Sequence, residues 1–174
     1  MIKIKETTDY RPLIPFFIEN GLEFEEGEEY GGDEIVMCWR ADEFPGNDPS
    51  PAPPPGAQGA NFEARRQAHP RLVGGAVLAK REGEYICDGI AVAPEHRKDG
   101  LGKELLDLIV AEAKSRGAAE VFLVARAPGF FAKSGFVPVP REEAPDFFEC
   151  FTCPQYGKTC YPEVMRLGNL SGIL

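Results

Sequence analysis

Gly89-Ile90-Ala91-Val92-Ala93-Pro94-Glu95-His96-Arg97-Lys98-Asp99-Gly100-Leu101-Gly102-Lys103-Glu104-Leu105-Leu106 decides how this chain is read. An apolar run stops at a proline, and Arg-x-x-Gly-x-Gly then opens an amphipathic stretch. The pattern predicts a strand, a short turn and a helix N-terminus. The first helical turn carries N–H groups without intrahelical partners, and its dipole favours negative charge. A strand end feeding such a terminus therefore suits a phosphate group. Gly100 and Gly102 lack a Cβ, so the backbone there can approach a bulky anion. Arg97 and Lys103 add cationic donors at the same end. Two glycines between a strand and a helix also occur without any ligand, so the surroundings must decide.

Working outward, residues 72–79 and 85–92 predict a strand pair turned at Glu82-Gly83. Leu101, Leu105, Leu108 and Ile109 recur at helical spacing and give the helix one buried face. Gly117 ends it, with Lys114 and Arg116 in the last turn. The apolar run 121–124 predicts a strand buried on both faces. A short helix at 128–133 and strands at 136–139 and 162–167 complete that half. Towards the N-terminus, 2–5 alternates as a strand. Thr8 or Asp9 then caps a helix that runs through 13–18 to Asn20-Gly21, with Pro12 and Pro15 confined to its first turn. Residues 34–40 predict a second strand. Between 44 and 70, Pro45, Pro49, Pro51, Pro53, Pro54 and Pro55 rule out a helix or central strand; a long extended loop is expected, with a brief helical turn near 62–69.

The 174 residues suffice for one domain with a real core. No run of about 18 apolar residues predicts a membrane span, and 1–6 lacks a signal peptide's apolar block, so a cytoplasmic protein is expected. A net charge of −9 argues against nonspecific binding to nucleic acid or an anionic membrane. The acidic stretch 23–34 reads as solvated.

Val92, Pro94, Arg97, Gly100 and Gly102 stand in the order and spacing of the acetyl-coenzyme A motif of the GNAT superfamily of N-acetyltransferases, which this segment resembles. The resemblance is specific from about Gly74 to Leu167 and rests on element order before that. It implies an α/β (α+β) GNAT fold: a mixed central sheet of about six or seven strands flanked by helices. The whole chain, 1–174, would be a single acetyltransferase domain with a Pro-rich insertion at about 42–70 and a Cys-rich segment at about 146–162. Acetyl-CoA is the implied co-substrate and a small primary amine the implied acceptor. The resemblance is also compatible with a homodimer.

The same resemblance assigns roles. The coenzyme's pantetheine would pair with the strand backbone at Ile90, Ala91 and Val92, and its pyrophosphate would sit on the N–H groups of Arg97, Lys98, Asp99, Gly100, Leu101, Gly102 and Lys103. Asp99 is awkward beside a diphosphate and is expected to point to solvent. A carboxylate on the strand before the motif often serves as base. Asp88 is the first candidate and Glu84 the second, and alternation puts both on one face. Either also suits an ordinary exposed or turn carboxylate. Where many members carry a tyrosine that protonates the leaving thiolate, this chain has Phe131, within Phe130-Phe131-Ala132-Lys133-Ser134-Gly135-Phe136. Water, Ser134 or Tyr156 would then have to supply the proton, or the protein binds acyl-CoA without transferring it. The phenylalanine pair, 141–145 and the Cys-rich stretch look like amino-acid N-acetyltransferases related to N-acetylglutamate synthase. An amino-acid acceptor needs a cation for its carboxylate, for which Arg126 and Arg40 are candidates.

Five cysteines, an odd number, argue against a disulfide framework. Cys150, Cys153 and Cys160 have metal-like spacing, but a closed site needs a fourth ligand from Cys87, His69 or His96. No metal is expected; reduced packing cysteines are the favoured reading, and a Cys153–Cys160 disulfide is the remaining one.

Overall fold

The computed structural model describes residues 1–22, 34–45, 69–145, 154 and 156–170. Most of the Pro-rich stretch, the acidic stretch, Cys150 and Cys153 lie outside them, and so do the expectations attached to those segments. In chain order the described elements are β1 (Ile2–Thr7), a 3-10 turn (Arg11–Leu13), α1 (Ile14–Glu19), β2 (Glu34–Glu43), β3 (Arg71–Arg81), β4 (Glu84–Val92), a 3-10 turn (Pro94–His96), α2 (Leu101–Ser115), β5 (Val121–Ala125), α3 (Pro128–Ala132), β6 (Val137–Pro138) and β7 (Glu163–Leu167). The strands form one mixed sheet in the order β1-β2-β3-β4-β5-β7-β6.

The β3–β4 hairpin turns where the sequence places it. Glu82 and Gly83 both take positive φ, 50° and 91°, the combination a two-residue hairpin turn requires. Two adjacent glycines of β3 then set the layers. A Cβ on Gly74 would meet Leu101 at 3.1 Å and Leu105 at 3.2 Å, whereas one on Gly75 would meet Leu13 at 3.0 Å and Phe17 at 3.2 Å. Successive strand residues face opposite sides, so α1 and α2 press on opposite faces of β3, each close enough that an added methyl would push its neighbours back. Leu105, Leu106 and Ile109 of α2 are fully buried. The helix ends at Gly117 (φ 83°), where Ala118 N–H bonds Ala113 O and Gly117 N–H bonds Lys114 O, satisfying its last carbonyls.

Several elements differ from expectation. The first helix is shorter and begins as a 3-10 turn, with Pro12 and Pro15 each near the start of its segment. The strand expected at 136–139 shrinks to Val137–Pro138, although Val139 N–H still donates to Val164 O at 2.8 Å. Among the strands described, β4 pairs parallel with β5, and β7 is antiparallel to both β5 and β6. No helix among the described residues is long and apolar enough to cross a membrane.

Candidate functional site

The sheet comes apart at its centre. β4 is paired with β3 from Glu84 to Val92, but with β5 only at Tyr85↔Val121 and Ile86↔Phe122. Beyond Ile86 the two parallel strands diverge. A bulge lies at the divergence: Val77 pairs with Gly89 and Leu78 with Cys87, leaving Asp88 as the extra residue. Past the bulge, Ala93 N–H donates to Val73 O at 2.8 Å. Strand alternation therefore turns the Ala91 amide towards β3 and those of Ile90 and Val92 towards the gap.

The gap leads to the glycine-bearing loop. Gly100 has φ 83° at the N-cap of α2, a left-handed conformation that favours glycine. Gly102 lies in the first helical turn, where a Cβ would stand 3.4 Å from Phe130 and 3.6 Å from Val92. Arg97, expected as a phosphate donor, folds back instead: its Nε–H donates to Val92 O at 3.0 Å and its NH2 group to Asn20 Oδ1 at 3.3 Å. Lys103 pairs with Asp107 at 2.5 Å on the exposed side of α2. Asp99 is exposed, as expected, and its carboxylate lies 3.1 Å from His96 Nδ1. His96 stands between Asp99 and Glu43, and Arg71 bridges Glu43 (2.9 Å) to Glu95 (2.5 Å). These pairs fasten the loop to the ends of β2 and β3; Arg71 holds the Glu43 carboxyl below its ordinary range, and a bond to its own backbone amide, then Arg71, does the same for Glu95. Lys98 is exposed and Leu101 is buried.

Across the gap, α3 presents two phenylalanines with different surroundings. Phe131 is buried, edge-on to Phe130 (5.0 Å between centroids) and Phe136 (6.0 Å). Phe130 is 37% exposed and lies against Gly102. The aromatic surface beside the loop is thus Phe130 and not the buried Phe131.

Of the two carboxylates, Glu84 is exposed at the hairpin, and Asp88 is nearly buried at the apex of the gap. Arg81 NH2 stands 3.3 Å from Asp88 Oδ1, with the side chains 17% and 12% exposed. Beside them, burial pushes the Cys38 thiol up to about 12 and the Cys87 thiol higher still, with the Asp88 charge adding to both. Neither candidate carboxylate-binding arginine is open as expected. Arg40 makes a two-point fork to buried Asp42 (2.8 and 2.7 Å), and Arg126 donates to the Gly21 carbonyl. Among the described residues, no group of three His, Cys, Asp or Glu is placed to hold a metal.

A left-handed glycine opening a helix just beyond the end of β4 is the feature that the sequence motif led one to look for; the strand divergence and the bulge are added by the fold. Residues 34–136, more than half of the chain, match the acetyltransferase (GNAT) family. The chain belongs to this family. Among curated GNAT relatives, the amino-acid acetyltransferase of Escherichia coli (strain K12) is 37% identical over 65 residues, 37% of this chain and 14% of that protein. The one from Salmonella arizonae is 34% identical over 70 residues, 40% of this chain and 15% of that protein. The chain thus spans a small part of the length of these relatives. Among solved structures, the ribosomal-protein-S18-alanine N-acetyltransferase from Escherichia coli aligns with a TM-score of 0.58 at 16% identity, covering 97% of this chain and 94% of that one. N-acetylglutamate synthase from Neisseria gonorrhoeae, complexed with coenzyme A and N-acetyl-glutamate, aligns with a TM-score of 0.59 at 18% identity, covering 97% of this chain and 35% of that one. At such identity these two structures share the GNAT fold with this chain, and their acceptors are their own.

Proposed function

We propose that this chain is an acetyl-CoA-dependent N-acetyltransferase acting on the primary amine of a small molecule, an amino acid, within a single domain. The observation that carries this is the gap between β4 and β5, which ends at the Gly100 turn. Its chemistry fits the coenzyme: the Ile90 and Val92 amides face the gap and suit the amides of a pantetheine chain. At the end of the gap, the first-turn N–H groups of α2 suit a diphosphate. The matched segments of amino-acid acetyltransferases support the choice of acceptor.

When bound, acetyl-coenzyme A supplies the acetyl group, whose C–S bond is exchanged for a C–N bond to the amine. Backbone amides at the gap hold the acetyl carbonyl and stabilise the charge that develops on its oxygen. Asp88, at the apex, accepts the proton that the ammonium must lose before it attacks. Phe131 cannot protonate the leaving thiolate, so water does. That same residue favours a second reading, a protein that binds acyl-CoA without turnover.

The test is mass-spectrometric detection of acetylated products from a panel of amino acids, polyamines and peptides incubated with acetyl-CoA. An acetylated amino acid supports the proposal. Coenzyme binding with no product from any acceptor supports the second reading.

A further inference from the structure

Val92, Gly102 and Phe130 meet where the gap between β4 and β5 runs into the glycine-bearing loop. Val92 ends β4, Gly102 lies in the first turn of α2, and Phe130 stands on α3, beyond β5. A Cβ on Gly102 would lie 3.4 Å from Phe130 Cζ and 3.6 Å from Val92 Cγ2. Val92 is the register partner of Gly74, whose missing Cβ would point at Leu101 and Leu105, so the Val92 side chain also faces α2. Val92 and Phe130 therefore form an apolar corner on the α2 side of the gap. Val92 is buried, whereas Phe130 stays 37% exposed although Phe131 braces it edge-on. Gly102 adds a second sign. Its φ is not left-handed, and an added methyl would meet its neighbours at ordinary distances. The protein's own packing thus does not require a glycine there, and in a helix glycine is less favourable than alanine. The room in front of the corner suits a group from outside the chain.

We propose that Phe130 and Val92 clasp the geminal-dimethyl group of the pantoyl unit of coenzyme A. This rests on the coenzyme part of the acetyltransferase reading above. The coenzyme's arm leaves the diphosphate through a CH2, then a carbon bearing a pair of methyl groups, then a hydroxyl-bearing carbon, and then its first amide. With the diphosphate on the first-turn N–H groups of α2 and the amides along Val92 and Ile90, those methyls fall between Val92 and Gly102, against the exposed face of Phe130. Burial between a valine and a ring removes them from water. The groups that follow along the arm are polar and suit the strand backbone instead. Phe130 thereby sets the position of the arm along the gap: the phosphates fix one end, the clasp fixes the branched carbon beside it, and the reach of the thioester towards the apex follows.

The experiment is calorimetric titration with coenzyme A, with an analogue that has hydrogens in place of the methyl pair, and with ADP, which carries the diphosphate but no pantetheine arm. Each is titrated into the unmodified protein, Phe130→Ala and Phe130→Leu, with folding checked by thermal melting. The unmodified protein should bind coenzyme A about tenfold more tightly than the analogue, the effect of burying the methyl pair. In Phe130→Ala that preference should shrink to about twofold through weaker coenzyme A binding, with ADP affinity unchanged. Phe130→Leu, which keeps an apolar side chain, should retain most of it. Equal affinity of the unmodified protein for coenzyme A and the analogue overturns the proposal and leaves the coenzyme reading standing. So does an equal loss for coenzyme A, the analogue and ADP in Phe130→Ala, which would make the ring a support of the loop alone. Failure of the unmodified protein to bind coenzyme A overturns both.

Discussion

The Nε–H of Arg97 donates to the carbonyl oxygen of Val92, five residues earlier in the chain, at 3.0 Å. The first residue of the Arg-x-x-Gly-x-Gly pattern thus ties the loop to the strand it leaves, and its NH2 group extends the tie to Asn20 at the end of α1. Its contribution to an anion site is positional. Arg97→Lys keeps the charge but cannot make both bonds, and coenzyme A binding should weaken about tenfold, the equivalent of roughly one charged hydrogen bond. Asn20→Ala should weaken it less, in the same direction. Calorimetric titration with coenzyme A measures both, and unchanged affinity in Arg97→Lys would show that charge alone matters.

Gly100 and Gly102 should respond differently to alanine. At φ 83° an alanine at position 100 is strained by about 1–2 kcal/mol, a loss of several degrees in Tm for a chain of this size. At 102 the added methyl meets Phe130 at 3.4 Å and Val92 at 3.6 Å, ordinary contact distances, so Gly102→Ala should melt within about 1 °C of the parent. Gly102→Leu should displace Phe130 and weaken coenzyme A binding. Differential scanning fluorimetry with and without coenzyme A reads both effects.

The two phenylalanines of α3 should separate stability from binding. Phe131→Ala empties a buried aromatic site and is expected to cost about 3–5 kcal/mol in urea denaturation. Phe130→Ala removes a ring that is 37% exposed, so it should cost far less stability and mainly weaken coenzyme A binding. Equal stability losses in the two variants would contradict the packing.

Buried thiols predict a pH limit. Cys38 has its thiol raised from 9.0 to about 12, first by burial and then by the Asp9 and Asp88 charges. Between those values the unfolded chain loses a proton that the folded chain keeps, so stability must fall as pH rises above about 9. The Cys87 thiol, also raised by burial, acts in the same direction. Chemical denaturation at pH 8, 9 and 10 should show the decline, and Cys38→Ser/Cys87→Ser should flatten it. Among the described cysteines, Cys160 is the least buried and should alkylate first in the native protein.

Much of this architecture was legible because it rests on local chemistry. Glu82-Gly83, the Leu101–Ile109 spacing and Gly117 each specify a turn, a buried face or a stop without reference to distant residues. What escaped was set between elements. The Asp88 bulge depends on how β4 registers with β3, which no residue of β4 announces alone. Arg97 meets Asn20 only because α1 folds across the loop, and Phe130 became the loop's aromatic neighbour through tertiary packing. The Arg40–Asp42 fork is different: residues two apart on a strand share a face, and that spacing was in plain sight.

The divergence of β4 and β5 also bears on how the protein is held together. Unpaired strand edges usually lie at the rim of a sheet, where they invite other chains; here a pair of them lies in the interior of the sheet, between β3 and β7. A slender ligand lying there would act as a strand the gene does not encode, joining β1–β4 to β5–β7. Its binding energy would then appear as cooperativity between two halves that otherwise meet in the sheet at only Tyr85↔Val121 and Ile86↔Phe122.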